Sequence, residues 1–199
     1  MKVELLLSTP EEQIGESAKI CYNTKPIKDG GKDITSTLVH DYKHLASLRF
    51  AYATVYVEGI SVACQNQIVR SKHLDFMVQS KRYVGATKGN FSFVLPKNLT
   101  EQQEQLMTNH WDASVETYNA LINLGVKKEN ARAVLPANAS TKMNITGNLQ
   151  AWNDFFKLRL ALHAQSEVRE VAEVIYTLLA KEYPQVFTKD LYKQHKGIV

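Results

Sequence analysis

Cysteine is scarce, with Cys21 and Cys64 the only two in 199 residues. At most one bridge can form, which excludes a disulfide scaffold. Neither has a CxxC or Cys–His spacing, so structural zinc is not indicated. The pair reads as buried free thiols of a cytosolic protein. Long apolar runs are missing too. No stretch reaches the roughly 18 apolar residues that mark a membrane-crossing helix. The first apolar run, residues 3–7, is interrupted by Glu4 and is too short for the core of a signal peptide. The expectation is a cytoplasmic chain with no membrane partner. No block of about five like charges occurs, so there is no basic tail. Proline is limited to five residues, and no proline-, glycine- or serine-rich linker divides the chain. Residues 1–199 are therefore expected to form a single domain. Internal repeats are absent, as are GxSxG, P-loop, GxGxxG and HExxH patterns.

What is present is ordinary for a globular protein: 44% hydrophobic residues, 22% charged residues and a formal net charge of +4. Residues 3–7 read as a first strand. Thr9 is placed as the cap of a helix, with Pro10 at its first position and Glu11 and Glu12 in its first turn. Ile14, Ala18 and Cys21 follow at helical spacing. Residues 28–31 form a turn, and residues 33–43 a second helix. Residues 51–58 (AYATVYVE) alternate strictly, Ala51, Ala53, Val55 and Val57 against Tyr52, Thr54, Tyr56 and Glu58. That is the clearest strand, and Gly59 is expected to end it before a helix over 60–69. Residues 91–95 are expected as a strand stopped by Pro96. Thr100 opens a long helix through Asn123, closed by Gly125. A short helix over 128–135, an extended 137–146 and two amphipathic helices over 148–160 and 164–182 complete the pattern. Strands lie early and helices late, which predicts an α+β fold with a helix-rich C-terminal half.

Three clusters carry chemistry. Residues 65–83 gather Arg70, Lys72, Lys81 and Arg82 with the amides of Gln65, Asn66 and Gln67 and the hydroxyl of Ser80. Such a set holds phosphate by charge-assisted hydrogen bonds; its bland counterpart is a solvated basic loop. The second cluster is Glu129–Pro136, with Arg132 beside apolar Ala131, Val134 and Leu135. The third runs from Asn148 to Arg169. There Trp152, Phe155, Phe156 and Leu158 are expected on a core face, with Asp154 and Arg159 elsewhere. His40 and His44 stand four apart, but no third ligand completes a metal set, so no metal is expected. Cys64, in a small apolar context, reads as packed, and no nucleophile motif stands out.

In order and spacing these clusters resemble the flavin-dependent thymidylate synthase (ThyX) family. Its Arg-His-Arg, seven residues, Ser-x-Arg-Tyr signature is matched by Arg70-Ser71-Lys72, then Ser80-Lys81-Arg82-Tyr83. Glu58-Gly59-Ile60-Ser61 with Ala63-Cys64 resembles the strand-to-helix joint before it. Ala131-Arg132-Ala133-Val134-Leu135-Pro136 resembles the family's AR-x-VLP segment. Asn148 to Arg159 resembles its NAR…LR helix, and His163 to Arg169 its HAQWEIR. The likeness covers roughly residues 40–175. It implies a ThyX-like fold with a central, mainly antiparallel sheet flanked by helices, in a homotetramer with active sites at subunit interfaces. It implies methylation of deoxyuridylate to thymidylate, with FAD as cofactor, and NADPH and methylenetetrahydrofolate as cosubstrates. The partner is then a pyrimidine nucleoside monophosphate and not a nucleic acid polymer. By match, Gln67, Ser80, Arg82, Arg132 and Arg159 bind the nucleotide. Arg159 also acts catalytically, against the pyrimidine. Arg70, Ser71, Lys72, Asn148, Asp154 and His163 fall at flavin-contact positions.

Departures cluster on the flavin and base side. Ser71 stands for His, Lys72 for Arg, Met77-Val78 for Asn-Glu, Arg49-Phe50 for Glu-His, Gln150 for Arg, Asp154 for Asn and Ser166 for Trp. The nucleotide arginines Arg82, Arg132 and Arg159 are kept. An altered base shell leaves open a cytosine nucleotide or a hydroxymethyl product. Loss of His at 71 and Arg at 150 leaves open a nucleotide-binding relative without flavin or catalysis.

Overall fold

A computed structural model describes residues 1–83 and 92–197. In chain order the main elements are β1 (Lys2–Ser8), α1 (Glu12–Tyr22), β2 (Tyr52–Ser61), α2 (Val62–Ile68) and β3 (Asp75–Val78). They continue with α3 (Glu101–Asn123), α4 (Lys128–Ala131), β4 (Ser140–Asn148), α5 (Leu149–Arg159), α6 (Ser166–Glu182) and α7 (Lys189–Lys196). The strands form a four-stranded antiparallel sheet in the order β1-β2-β4-β3. The α+β expectation is met. The backbone gathers into two compact units. The first comprises Met1–Lys2, Val57–Gln67 and Met77–Met143, the second Val3–Tyr56, Ile68–Phe76 and Asn144–Val199.

In the first unit α3 is the dominant element, and its start was legible. Thr100 Oγ1 accepts from the Gln103 amide N, and the Gln103 side chain accepts from the Thr100 amide N at 2.9 Å. This reciprocal pair satisfies two N–H groups that a helix start leaves open. The helix buries Trp111 and Tyr118. Tyr118 packs with Ala131 and with Leu121, Ile122, Val126, Val134 and Leu135, which seats α4. Phe93 stacks on Trp111 at 5.2 Å. Of the strand expected at 91–95, residue 91 lies outside the described residues, and the rest keeps an isolated bridge, Phe93 to Ala139. Thr100→Ala is expected to destabilise the chain by about 1 kcal/mol, read from the urea midpoint. A shift below a few tenths would show that the cap carries no stability.

The second unit holds the larger core. α6 buries Val168, Val171, Ala172, Ile175, Tyr176 and Leu179, a stripe at helical spacing. α5 buries Leu149, Trp152, Phe155 and Phe156. Its indole N–H donates to the Ala53 carbonyl at 3.1 Å. Phe156 lies within 4.9 Å of Tyr176 and 5.3 Å of Phe187 between ring centroids. α7, a short polar helix, gave no sequence signal strong enough to be expected.

Several local expectations are corrected. Thr9 does not cap α1, which begins at Glu12; its hydroxyl instead accepts from the Tyr52 amide at 3.0 Å, a tie to β2. The helix expected over 33–43 is reduced to a π-helical turn, Thr37–Asp41. Gly59 does not end β2. It adopts φ +76, a conformation open to glycine, and the strand continues to Ser61. Cys64 is buried, but Cys21 is exposed. Leu158 is 55% exposed, because at about 100° per residue it lies roughly a third of a turn from the aromatic stripe. Arg159, seven positions after Trp152, falls on that stripe and is half-buried.

Candidate functional site

The first unit holds Gln67, Ser80, Arg82 and Arg132. Ser80 and Arg82 sit on the turn that follows β3, where the Ser80 hydroxyl accepts from the Arg82 amide at 3.2 Å. The hydroxyl orders the turn and keeps a lone pair and a proton for a ligand. The Arg82 guanidinium lies 5.9 Å from the Tyr83 ring centroid. Its Nη2 donates to Glu129 Oε2 at 3.0 Å. Arg132 Nε donates to the carbonyl oxygen of the same residue, Glu129, at 3.1 Å. Lys128 Nζ reaches the Tyr83 carbonyl at 3.2 Å. The turn and α4 are thus fastened together, and Arg82 and Arg132 meet at one residue. Both arginines are exposed, so the pair presents two guanidinium groups to solvent. Gln67 lies in the last turn of α2 and is half-buried.

Lys81, between these residues, was passed over as a site residue. Its ammonium donates to the Ser140 carbonyl at 3.3 Å, and burial pushes its pKa down to about 8. The unfolded chain therefore binds more protons than the folded one between about 8 and 10.5. The sign follows: stability from this group is present above 10.5 and lost as pH falls through 8. Replacing Lys81 by Met is expected to remove the part of the rise in urea midpoint that the wild type shows from pH 8 to 10. An unchanged slope would contradict the assignment.

The second unit holds Arg70, Ser71, Lys72, Asn148, Asp154, Arg159 and His163. Arg70 and Lys72 are exposed on either side of Ser71, which is buried. Ser71 Oγ has no hydrogen-bond partner. Asn148 caps α5, its Oδ1 accepting from the Ala151 amide at 2.9 Å, as an amide at a helix start is suited to do. Asp154 accepts from Gln150 Nε2 at 2.9 Å, so the residue replacing the family's Arg pairs with the one replacing its Asn. His163 is exposed beyond the helix.

A cavity of about 370 Å³ opens beside α5 in this unit, with Gln150, Asn153, Asp154, Lys157 and His195 among its lining residues. His195 pairs with Asn153 Oδ1 at 2.9 Å. Burial and Lys157 push its pKa down, and Asp154 opposes them. Neither Asn153 nor His195 was expected. Of the two histidines considered for metal, His40 meets the Gln185 carbonyl at 2.8 Å and His44 the Tyr22 hydroxyl at 3.3 Å. Among the described residues no group of three His, Cys, Asp or Glu side chains is placed to hold a metal ion. Among them, too, no helix is long and apolar enough to cross a membrane.

Residues 4–185 match the family model described as thymidylate synthase complementing protein. A flavin-dependent thymidylate synthase of Geobacter sulfurreducens is 33% identical over 94% of this chain and 85% of its own length. One from Pyrococcus furiosus is 35% identical over 70% of this chain and 59% of its own. The fold is similar to the crystal structure of thymidylate synthase X from Helicobacter pylori with FAD and dUMP. The TM-score is 0.80 at 19% identity, covering 97% of this chain and 99% of that one. With a family model spanning most of its length and relatives above 30% identity, the chain belongs to the flavin-dependent thymidylate synthase (ThyX) family.

Proposed function

We propose that this chain methylates deoxyuridylate to thymidylate with FAD as its cofactor. The observation that carries the reading is the meeting of Arg82 and Arg132 at Glu129, beside Ser80. That arrangement suits a phosphomonoester, which bears nearly two charges near pH 7 and is best gripped by forked guanidinium groups. Ser80 donates its hydroxyl to the same phosphate, and Gln67 offers an amide to the nucleotide. Arg159 lies against the pyrimidine and stabilises negative charge as it develops on the ring. The relatives' shared name favours deoxyuridylate and a methyl product over a cytosine nucleotide or a hydroxymethyl product.

The residues at the flavin positions fit an anionic, hydrogen-bonding group. Ser71 Oγ is buried and unpartnered, with the exposed cations Arg70 and Lys72 on either side, a set matched to a pyrophosphate. Asn148, Asp154 and His163 supply the remaining contacts. When bound, FAD takes part in carbon transfer and supplies the hydride, so the protein's own task is placement and electrostatics. NADPH is the reductant and methylenetetrahydrofolate the carbon donor. The enzyme acts in the cytoplasm as a homotetramer with shared active sites. The exposed apolar side chains of Met77 (78%) and Leu162 (56%) support burial against another copy.

Purified protein is expected to show oxidised-flavin absorbance. With methylenetetrahydrofolate and NADPH it should convert deoxyuridylate to thymidylate, identified by mass spectrometry. Colourless protein that binds nucleotide but turns nothing over would instead indicate a nucleotide-binding relative that has lost flavin. Light scattering on a sizing column checks the tetramer, and a monomer mass would contradict it.

A further inference from the structure

Glu129 touches both arginines assigned to the substrate phosphate, through different groups. Its carboxylate accepts from Arg82 at 3.0 Å, and its main-chain carbonyl accepts from Arg132 at 3.1 Å. The carbonyl is fixed by the chain where α4 passes into the 3₁₀ turn of Arg132–Val134. The carboxylate sits on a rotatable side chain. An ion pair with this exposure, 54% on the arginine side and 40% on the glutamate side, is weak and readily exchanged. A carboxylate and a phosphate also ask for the same thing from a guanidinium, two parallel N–H donors in one plane.

We propose that the Glu129 carboxylate is a stand-in for the substrate phosphate on Arg82, displaced when a nucleoside monophosphate binds. The inference rests on the functional reading above, which puts that phosphate between Arg82 and Arg132. Two consequences follow from the charges. In the free protein the carboxylate holds the Arg82 fork extended over Tyr83, so the guanidinium is oriented before substrate arrives. On binding, the displaced carboxylate stays near the phosphate and repels it. A dianion, with the stronger attraction to two guanidinium groups, exchanges with the carboxylate. A monoanion has much less to offset that repulsion, and an uncharged nucleoside has no anion to exchange. Glu129 thereby acts through Arg82 as a positioning residue that selects for a doubly charged phosphomonoester.

Calorimetric titration of the purified protein with deoxyuridylate and with deoxyuridine, at pH 7.5 and low salt, tests this. Glu129→Gln is expected to tighten deoxyuridylate binding about two- to tenfold and to leave deoxyuridine affinity unchanged. In wild-type protein the deoxyuridylate affinity falls as pH drops through the phosphate's second pKa, about 6, and in Glu129→Gln that fall is shallower. In an Arg82→Gln background the further change Glu129→Gln has a much smaller effect, because competition for Arg82 is gone and only repulsion of the phosphate is left to relieve. A purely structural role for Glu129 would move neither the phosphate dependence nor this coupling. Glu129→Ala gives the same comparison if the glutamine variant folds poorly. Wild-type protein that binds deoxyuridylate, with a Glu129→Gln variant that binds it no more tightly, overturns the proposal alone. Wild-type protein with no affinity for deoxyuridylate overturns the functional reading and the proposal with it.

Discussion

Phe156→Ala is expected to lower stability by about 3–5 kcal/mol, the range for emptying a buried aromatic site that relaxes incompletely. The Phe156 ring is fully buried. It makes edge contacts with Phe155, Tyr176 and Phe187 at 5.6, 4.9 and 5.3 Å and stacks on Trp152 at 6.1 Å. Those rings come from α5, α6 and the loop before α7, so no single neighbour can move in to fill the space. Edge-to-face packing adds to the loss beyond buried area. Urea unfolding at fixed protein concentration, with wild type alongside, measures it. Phe156→Leu, which keeps most of the volume, should recover more than half the loss. A cost below about 1.5 kcal/mol for the alanine variant, the scale of a volume-conserving core swap, would mean that this cluster is not the core of its unit.

Arg159→Gln is expected to separate function from stability. The side chain is half-buried at the last turn of α5. Its charge near a helix C-terminus contributes about 0.3–1 kcal/mol to the fold. Its proposed role is to meet charge that develops on the pyrimidine, and losing one such donor costs on the order of 10²–10³ in kcat. Steady-state rates of thymidylate formation and a melting curve on the same preparation give both numbers. Arg159→Lys should recover only part of the rate, since an ammonium keeps the charge but not the planar fork. A kcat within about threefold of wild type for the glutamine variant would remove Arg159 from the chemistry, three- to fourfold being far below the effect of one such donor.

Much of the secondary structure was legible because its signals are short-range. The helix start at Thr100, the amphipathic helix over 148–160 and the alternation of residues 51–58 are each written in a short stretch of chain, and the structure has α3, α5 and β2 there. The errors also have local causes. Thr9 has the chemistry of a helix cap, but the neighbouring strand takes its hydroxyl. Gly59 has the chemistry of a strand end, but a positive φ let the strand pass through it. Leu158 was grouped with the aromatic stripe by hydrophobicity, when its angle on the helix puts it outside. The π-helical turn at Thr37–Asp41 offered no period to read.

For the candidate site, the sequence by itself determined the order and spacing of the arginine, serine and amide segments, and with them the family. It could do so because those residues lie in short contiguous motifs. The tertiary structure alone decided what each side chain meets. Arg82 and Glu129 are 47 positions apart, and Asn153 and His195 are 42 apart. Neither pair leaves a periodic trace, because contacts at that range depend on how whole elements pack and not on propensity within a turn. The burial of Ser71 between two exposed cations, and the convergence of Arg82 and Arg132 on Glu129, are facts of that second kind.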